Sequence, residues 1–217
     1  MARRSGLLVP LTRVGARAVG VGAWTFTEYV AHRWLMHGGR RFGVISREHV
    51  AHHVDPEATD PRLRALGYAA VMTPSLAGAS LAGAWPIGVG WAAGYVAYEQ
   101  FHWREHHRRP LGRWERDARR RHFAHHFGAP RTNYGVTTSV WDRVFGTYRP
   151  TGTVRVPRRH AMPWLLDERG VVAAPYRSDY ELAGVPSATR TETSRETAER
   201  AVSAEPVQPD QRECPKR

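Results

Sequence analysis

Eleven of the chain's twelve histidines stand in four short clusters. His32 and His37 bracket HRWLMH; His49, His52 and His53 form HVAHH; His102, His106 and His107 form HWREHH; His122, His125 and His126 form HFAHH. Only His160 stands apart. Residues i, i+3 and i+4 share one face of an α-helix. His49, His52 and His53 are thus predicted to point one way, as are His122, His125 and His126, while His102 and His106 lie one turn apart. His32 and His37 are five apart, about 140° around a regular helix. They converge only if the helix ends or bends between them, and Gly38-Gly39 predicts such an ending.

Protonated, so many imidazoles would repel one another. Neutral, each offers one ring nitrogen to a metal while the other donates to a nearby acceptor. Roughly ten nitrogens exceed what one ion binds, since first-row metals take about four to six ligands. Two ions fit the count. Nitrogen ligands suit iron, zinc, copper or nickel, and a pair of irons best fits an oxidative role. Glu28, four residues before His32, is a candidate acceptor for its ring. The one cysteine, Cys214, rules out a disulfide within the chain and any thiolate cluster.

Such clusters need helices to carry them. From Ala65 to Tyr98 there are 34 residues without a charge. As a single helix they would span about 51 Å, against a bilayer core of about 30 Å. Gly83-Ala84-Trp85-Pro86 is the natural turn, which predicts two spans, Ala65–Gly83 and Pro86–Phe101. Val14–Met36 is a third, weaker candidate, interrupted by Arg17 and Glu28. No cleavable leader is expected, because Pro10 and Arg13 break the first apolar run. Nine arginines between His102 and Arg131 place that segment on the cytoplasmic side by the positive-inside rule. The expected fold is all-α: an integral membrane helical bundle with a transmembrane hairpin and a cytosolic, histidine-rich helical cap holding a dinuclear metal site. Its expected divisions are an N-terminal segment 1–13, a membrane domain 14–150, a C-terminal extension 151–183 and a disordered tail 184–217, poor in large apolar residues.

The net charge is +12, with arginine supplying all basic residues but Lys216. No nucleic-acid recognition motif accompanies that charge, and the apolar run points to lipid, so no nucleic-acid partner is expected. A metal store or transporter is a rival class. Transport calls for ionisable groups within the spans, and Ala65–Tyr98 has none.

The order HxxxxH, HxxHH, hairpin, HxxxHH, HxxHH resembles the fatty acid hydroxylase and sterol desaturase superfamily, closest to its fatty acid 2-hydroxylase-like branch. Asn133-Tyr134-Gly135, followed by Trp141-Asp142-Arg143-Val144-Phe145-Gly146-Thr147, is similar to the family's NYG…WDxxFGT segment. The likeness covers roughly residues 24 to 150. It implies an O2-dependent lipid hydroxylase or desaturase in a membrane, expected here to be a bacterial cell membrane with the site on the cytoplasmic side. It implies two irons, with zinc as a substitute in purified protein, held by His32, His37, His49, His52, His53, His102, His106, His122, His125 and His126. His107 is assigned either to a metal or to the support of a ligand. Asp142 is, beside Glu28, a second candidate for a metal or for the support of a ligand, or equally a brace of the cytosolic fold. Arg104, Arg108 and Arg109 are candidates for a lipid headgroup. With no haem-binding domain in the chain, electrons are expected from a separate cytochrome b5-like or ferredoxin-type protein. Carotenoid hydroxylases are the runner-up, but their second box usually follows the first more closely.

Overall fold

The computed structural model describes residues 5–38, 43–56 and 61–184. The expected tail, 184–217, lies outside the described residues apart from Gly184. In chain order the helices are α1 (Ser5–Val30), α2 (Gly43–Val54), α3 (Pro61–Leu81), α4 (Trp85–His107), α5 (Arg113–Phe127) and α6 (Val140–Val144). The uncharged run folds back at its glycine and proline. Gly83 takes φ +67°, a left-handed turn that glycine accepts without penalty. Pro86 sits in the first turn of α4, where its missing N–H leaves no helical bond unmade. Past Phe101, α4 continues to His107, so the third histidine cluster rides on the hairpin's second arm.

The helical hairpin is present, but among the described residues no helix is long and apolar enough to cross a membrane. Its arms are rich in glycine and alanine, which add length without much hydropathy. The all-α expectation needs one correction. Strands β1 (Val154–Pro157) and β2 (Tyr180–Ala183) pair as a two-stranded sheet. Val154 and Val156 alternate with exposed Arg155, the period of a half-buried strand. They pack with Trp164, Leu165 and Tyr180 against Phe123 of α5.

The first arm of the site's scaffold is α1, which lies along α4 in very close contact. A Cβ on Gly20 would fall 2.0 Å from the Ile87 carbonyl oxygen, and one on Gly90 would fall 2.0 Å from that of Arg17. On Gly94 it would meet Trp24 Cβ at 2.6 Å. Gly90 and Gly94 are one turn apart, the small-residue spacing that lets backbones approach. Below this contact Trp24 packs on Trp91, Tyr95 and Tyr98, with ring centroids 4.7–5.6 Å apart. Gly90→Leu is therefore expected to force α1 from α4 and to destabilise the protein by about 3 kcal/mol or more. A thermal melt of the purified variant checks this, with Gly22→Ala, where an added Cβ meets nothing, as the neutral control.

Candidate metal centre

His32 and His37 converge by a device other than a helix end. Ala31–Met36 is a π-helical turn continuing α1, and His37 N donates to the His32 carbonyl at 3.2 Å. An i to i+5 turn brings residues five apart onto one side, and such turns recur at functional sites. Gly38 follows as a bend, and Gly39 lies outside the described residues.

The ten histidines then gather as two groups of five. His32, His37, His49, His53 and His125 form one; His52, His102, His106, His122 and His126 form the other. Within each group the nitrogens lie within 4.8 Å of one another. His49 Nε2 stands 3.1, 2.9 and 3.0 Å from Nε2 of His32, His37 and His53. One ring proton cannot serve three such contacts, so they do not act together as hydrogen bonds. They are the spacing of nitrogens around a cation. Metal–nitrogen bonds of about 2.0–2.1 Å at right angles put neighbouring nitrogens about 2.9 Å apart. The second group repeats this, with His52 to His102 at 3.1 Å and His106 to His122 at 3.0 Å. The donor set fits two metal ions.

Backbone carbonyls orient the rings. His32 Nδ1 donates to the Tyr134 carbonyl, and His125 Nδ1 to that of Thr132 at 2.8 Å. Both rings then keep Nε2 unprotonated and aimed inward. These two carbonyls are functional groups that the histidine pattern does not reveal. Glu28 does not reach His32. Its carboxylate accepts from Val136 N at 2.6 Å, from Thr137 N at 3.0 Å and from the Thr137 hydroxyl. Asp142, fully buried, accepts from Tyr134 N and Gly135 N at 2.8 Å each and from the Thr147 hydroxyl at 2.7 Å. Both acids thus hold the loop that presents the carbonyls. Asn133 adopts φ 54°, and its side chain bridges to the backbone of Arg149.

Burial pushes His49, His106, His122, His125 and His126 well below the ordinary histidine range, and the neighbouring imidazoles add to it. This suits neutral ligands. It also sets a pH dependence. Where the folded value lies below the unfolded one, the unfolded chain takes up protons first, so stability is lost as pH falls. Metal-free protein is expected to lose melting temperature steadily as pH drops through about 6.5 toward about 5. Thermal melts across that range check it, and metal-loaded protein should resist until the metals leave.

A sequence profile of fatty acid hydroxylases matches residues 17–147. The chain belongs to the fatty acid hydroxylase family. All eleven clustered histidines, Glu28 and Asp142 fall inside the matched span. Over 159 residues the chain is 31% identical to a dihydroceramide fatty acyl 2-hydroxylase of Arabidopsis thaliana, covering 65% of this chain and 62% of that protein. It is 33% identical over 151 residues to a ceramide very long chain fatty acid hydroxylase of Schizosaccharomyces pombe, covering 61% and 42%. The solved structure of full-length scs7p, in which only the hydroxylase domain is visible, matches with a TM-score of 0.55 at 30% identity, over 64% of this chain and 57% of that one. The chain thus spans about two fifths to three fifths of the length of these relatives. The two named organisms are eukaryotes, so a bacterial cell membrane finds no support there.

The remaining candidate residues lie elsewhere. His107 is outside both groups and stacks on Trp103 at 4.8 Å. A cavity of about 560 Å³ reaches His49, His52, His102 and His106 between walls that include Leu35, Ile45, Leu66, Val71 and Tyr98. Arg104, Arg108 and Arg109 do not line it. Arg104 pairs with Glu115 at 3.1 Å, Arg108 lies 5.4 Å over the Trp103 ring, and Arg109 borders a separate cleft with Asp167 and Glu168. His160, the histidine apart, stacks on Phe127.

Proposed function

We propose that this chain is a membrane-embedded di-iron oxygenase that hydroxylates a C–H bond of a lipid acyl chain, using O2 and electrons from a separate donor protein. The observation that carries this reading is one apolar cavity opening onto histidines of both five-nitrogen groups. An acyl chain in that cavity would lie against the ligand set with water excluded. The two irons, when bound, would supply O2 activation and the redox steps that C–H oxidation needs. The chain's own part is positioning. Tyr134 and Thr132 carbonyls keep His32 and His125 in the metal-binding tautomer, and the cavity walls hold the substrate. The relatives' names point to the fatty acyl groups of ceramides, and the Arabidopsis name points to carbon 2.

Membrane embedding is supported by apolar side chains left bare on three helices: Val14, Val19 and Phe26 on α1, Leu66, Val71 and Leu81 on α3, and Ile87, Val89 and Val96 on α4. Surfaces of that extent seek lipid or a partner. The donor protein is expected to be cytochrome b5-like or ferredoxin-type. The test is lipid profiling by mass spectrometry in cells with and without the full chain. One added oxygen on an acyl chain, absent with His122→Ala, is the expected result. A new double bond instead would make the protein a desaturase, and an unchanged lipid profile would sink the reading.

A further inference from the structure

The third cluster differs from the second and fourth by one letter. HVAHH and HFAHH place histidine at the first, fourth and fifth positions. In HWREHH those positions are His102, Glu105 and His106. The i, i+3, i+4 register puts Glu105 on the same side of α4 as two of the clustered histidines. There it is wholly buried, and neither carboxylate oxygen has a hydrogen-bond partner. Its Oε2 lies 3.8 Å from His122 Nε2, one of the five converging nitrogens of the second group. Glu28 and Asp142, the buried acids that hold the loop beside the first group, are not comparable, because they spend their oxygens on backbone N–H groups and hydroxyls.

A buried carboxylate without donors is costly, and native structures seldom leave one unmet. Arg119, on α5 and also wholly buried, does not meet it. One Arg119 nitrogen donates to the Arg104 carbonyl and lies 3.8 Å from Glu115, and its other two nitrogens have no acceptor. We propose that Glu105 supplies a carboxylate oxygen to the metal held by His52, His102, His106, His122 and His126. The two sites are then unequal. One has five neutral nitrogens; the other has five nitrogens and an anionic oxygen, which favours the harder and more highly charged ion. This rests on the metal reading above.

The test uses the full chain purified in detergent and loaded with iron-57. Wild type should show two metals per chain and two distinct Mössbauer doublets. Glu105→Gln keeps the shape and removes the charge. It should hold one metal more than about 100-fold more weakly against EDTA, beyond the loss expected of a merely supporting group, keep the other, and change only one doublet. Two indistinguishable doublets in wild type would overturn the assignment without recourse to any variant. So would a Glu105→Gln protein that retains both metals as wild type does, or one whose only change is a lower melting temperature, the mark of a bare ion pair with Arg119. Wild type with no metal would sink the metal reading as well, whereas two metals indifferent to Glu105→Gln would sink the carboxylate alone.

Discussion

His49→Ala is expected to abolish the proposed lipid hydroxylation and to lower the metal content from about two per chain toward one. His49 Nε2 is the nitrogen around which His32, His37 and His53 close, at 2.9–3.1 Å. Removing it opens a coordination position to water and leaves four neutral imidazoles where five converged. A directly bonded ligand should matter more than the groups that support ligands, whose loss typically costs about 10- to 100-fold in metal affinity or activity. His107→Ala is the matched control. It lies outside both groups, stacked on Trp103. It should keep both metals, with any change confined to substrate affinity because its ring borders the cavity. Metal analysis of the two purified variants beside wild type, with product measured on the same samples, decides the matter. If His107→Ala loses a metal and His49→Ala does not, the division of the histidines is wrong.

Much of this centre was legible in the spacing of the histidines, for a physical reason. The i, i+3, i+4 register is a property of the α-helix itself, so HVAHH and HFAHH announce convergent faces wherever they fall. The helical hairpin was legible too, since Gly83 and Pro86 punctuate an uncharged run too long for one helix. Two things were hidden. The π-turn at Ala31–Met36 has no residue signature, and without it HxxxxH forecasts divergence or a helix end. The Tyr134 and Thr132 carbonyls that orient His32 and His125 are backbone groups, which carry no letter in a sequence. What could be seen was their support: Asp142 and Glu28 were singled out, but with the wrong partner in the case of Glu28. Glu105 also left a trace, the HxxEH register beside two HxxHH clusters. The sheet was missed although Val154-Arg155-Val156 alternates in plain view, because a strand that short looks the same as a loop until Phe123 covers it.

The second large effect is expected at a residue that touches no metal. Asp142→Ala removes the acceptor of two backbone N–H groups in the loop that carries the Tyr134 carbonyl, and of the Thr147 hydroxyl just past α6. Each buried donor left unmet costs about 1–3 kcal/mol, so a loss of several kcal/mol and a large drop in melting temperature are expected. The effect on the metals should be lopsided. Tyr134 O orients His32, and Thr132 O, in the same segment, orients His125. Both rings belong to the first group. With the loop slack, His32 and His125 lose the bonds that fix their tautomers, and the first metal should be held about 10- to 100-fold more weakly. In the second group, the Nδ1 atoms of His106, His122 and His126 bond nothing in this loop, so its metal should stay. Asp142→Asn keeps one acceptor oxygen and should fall between wild type and alanine in both measurements. EDTA competition on the purified variants, read metal by metal, provides the check. An even loss of both metals would mean that the loop stabilises the whole bundle rather than one site. A first metal held as tightly as in wild type would mean that the carbonyls do not set the rings.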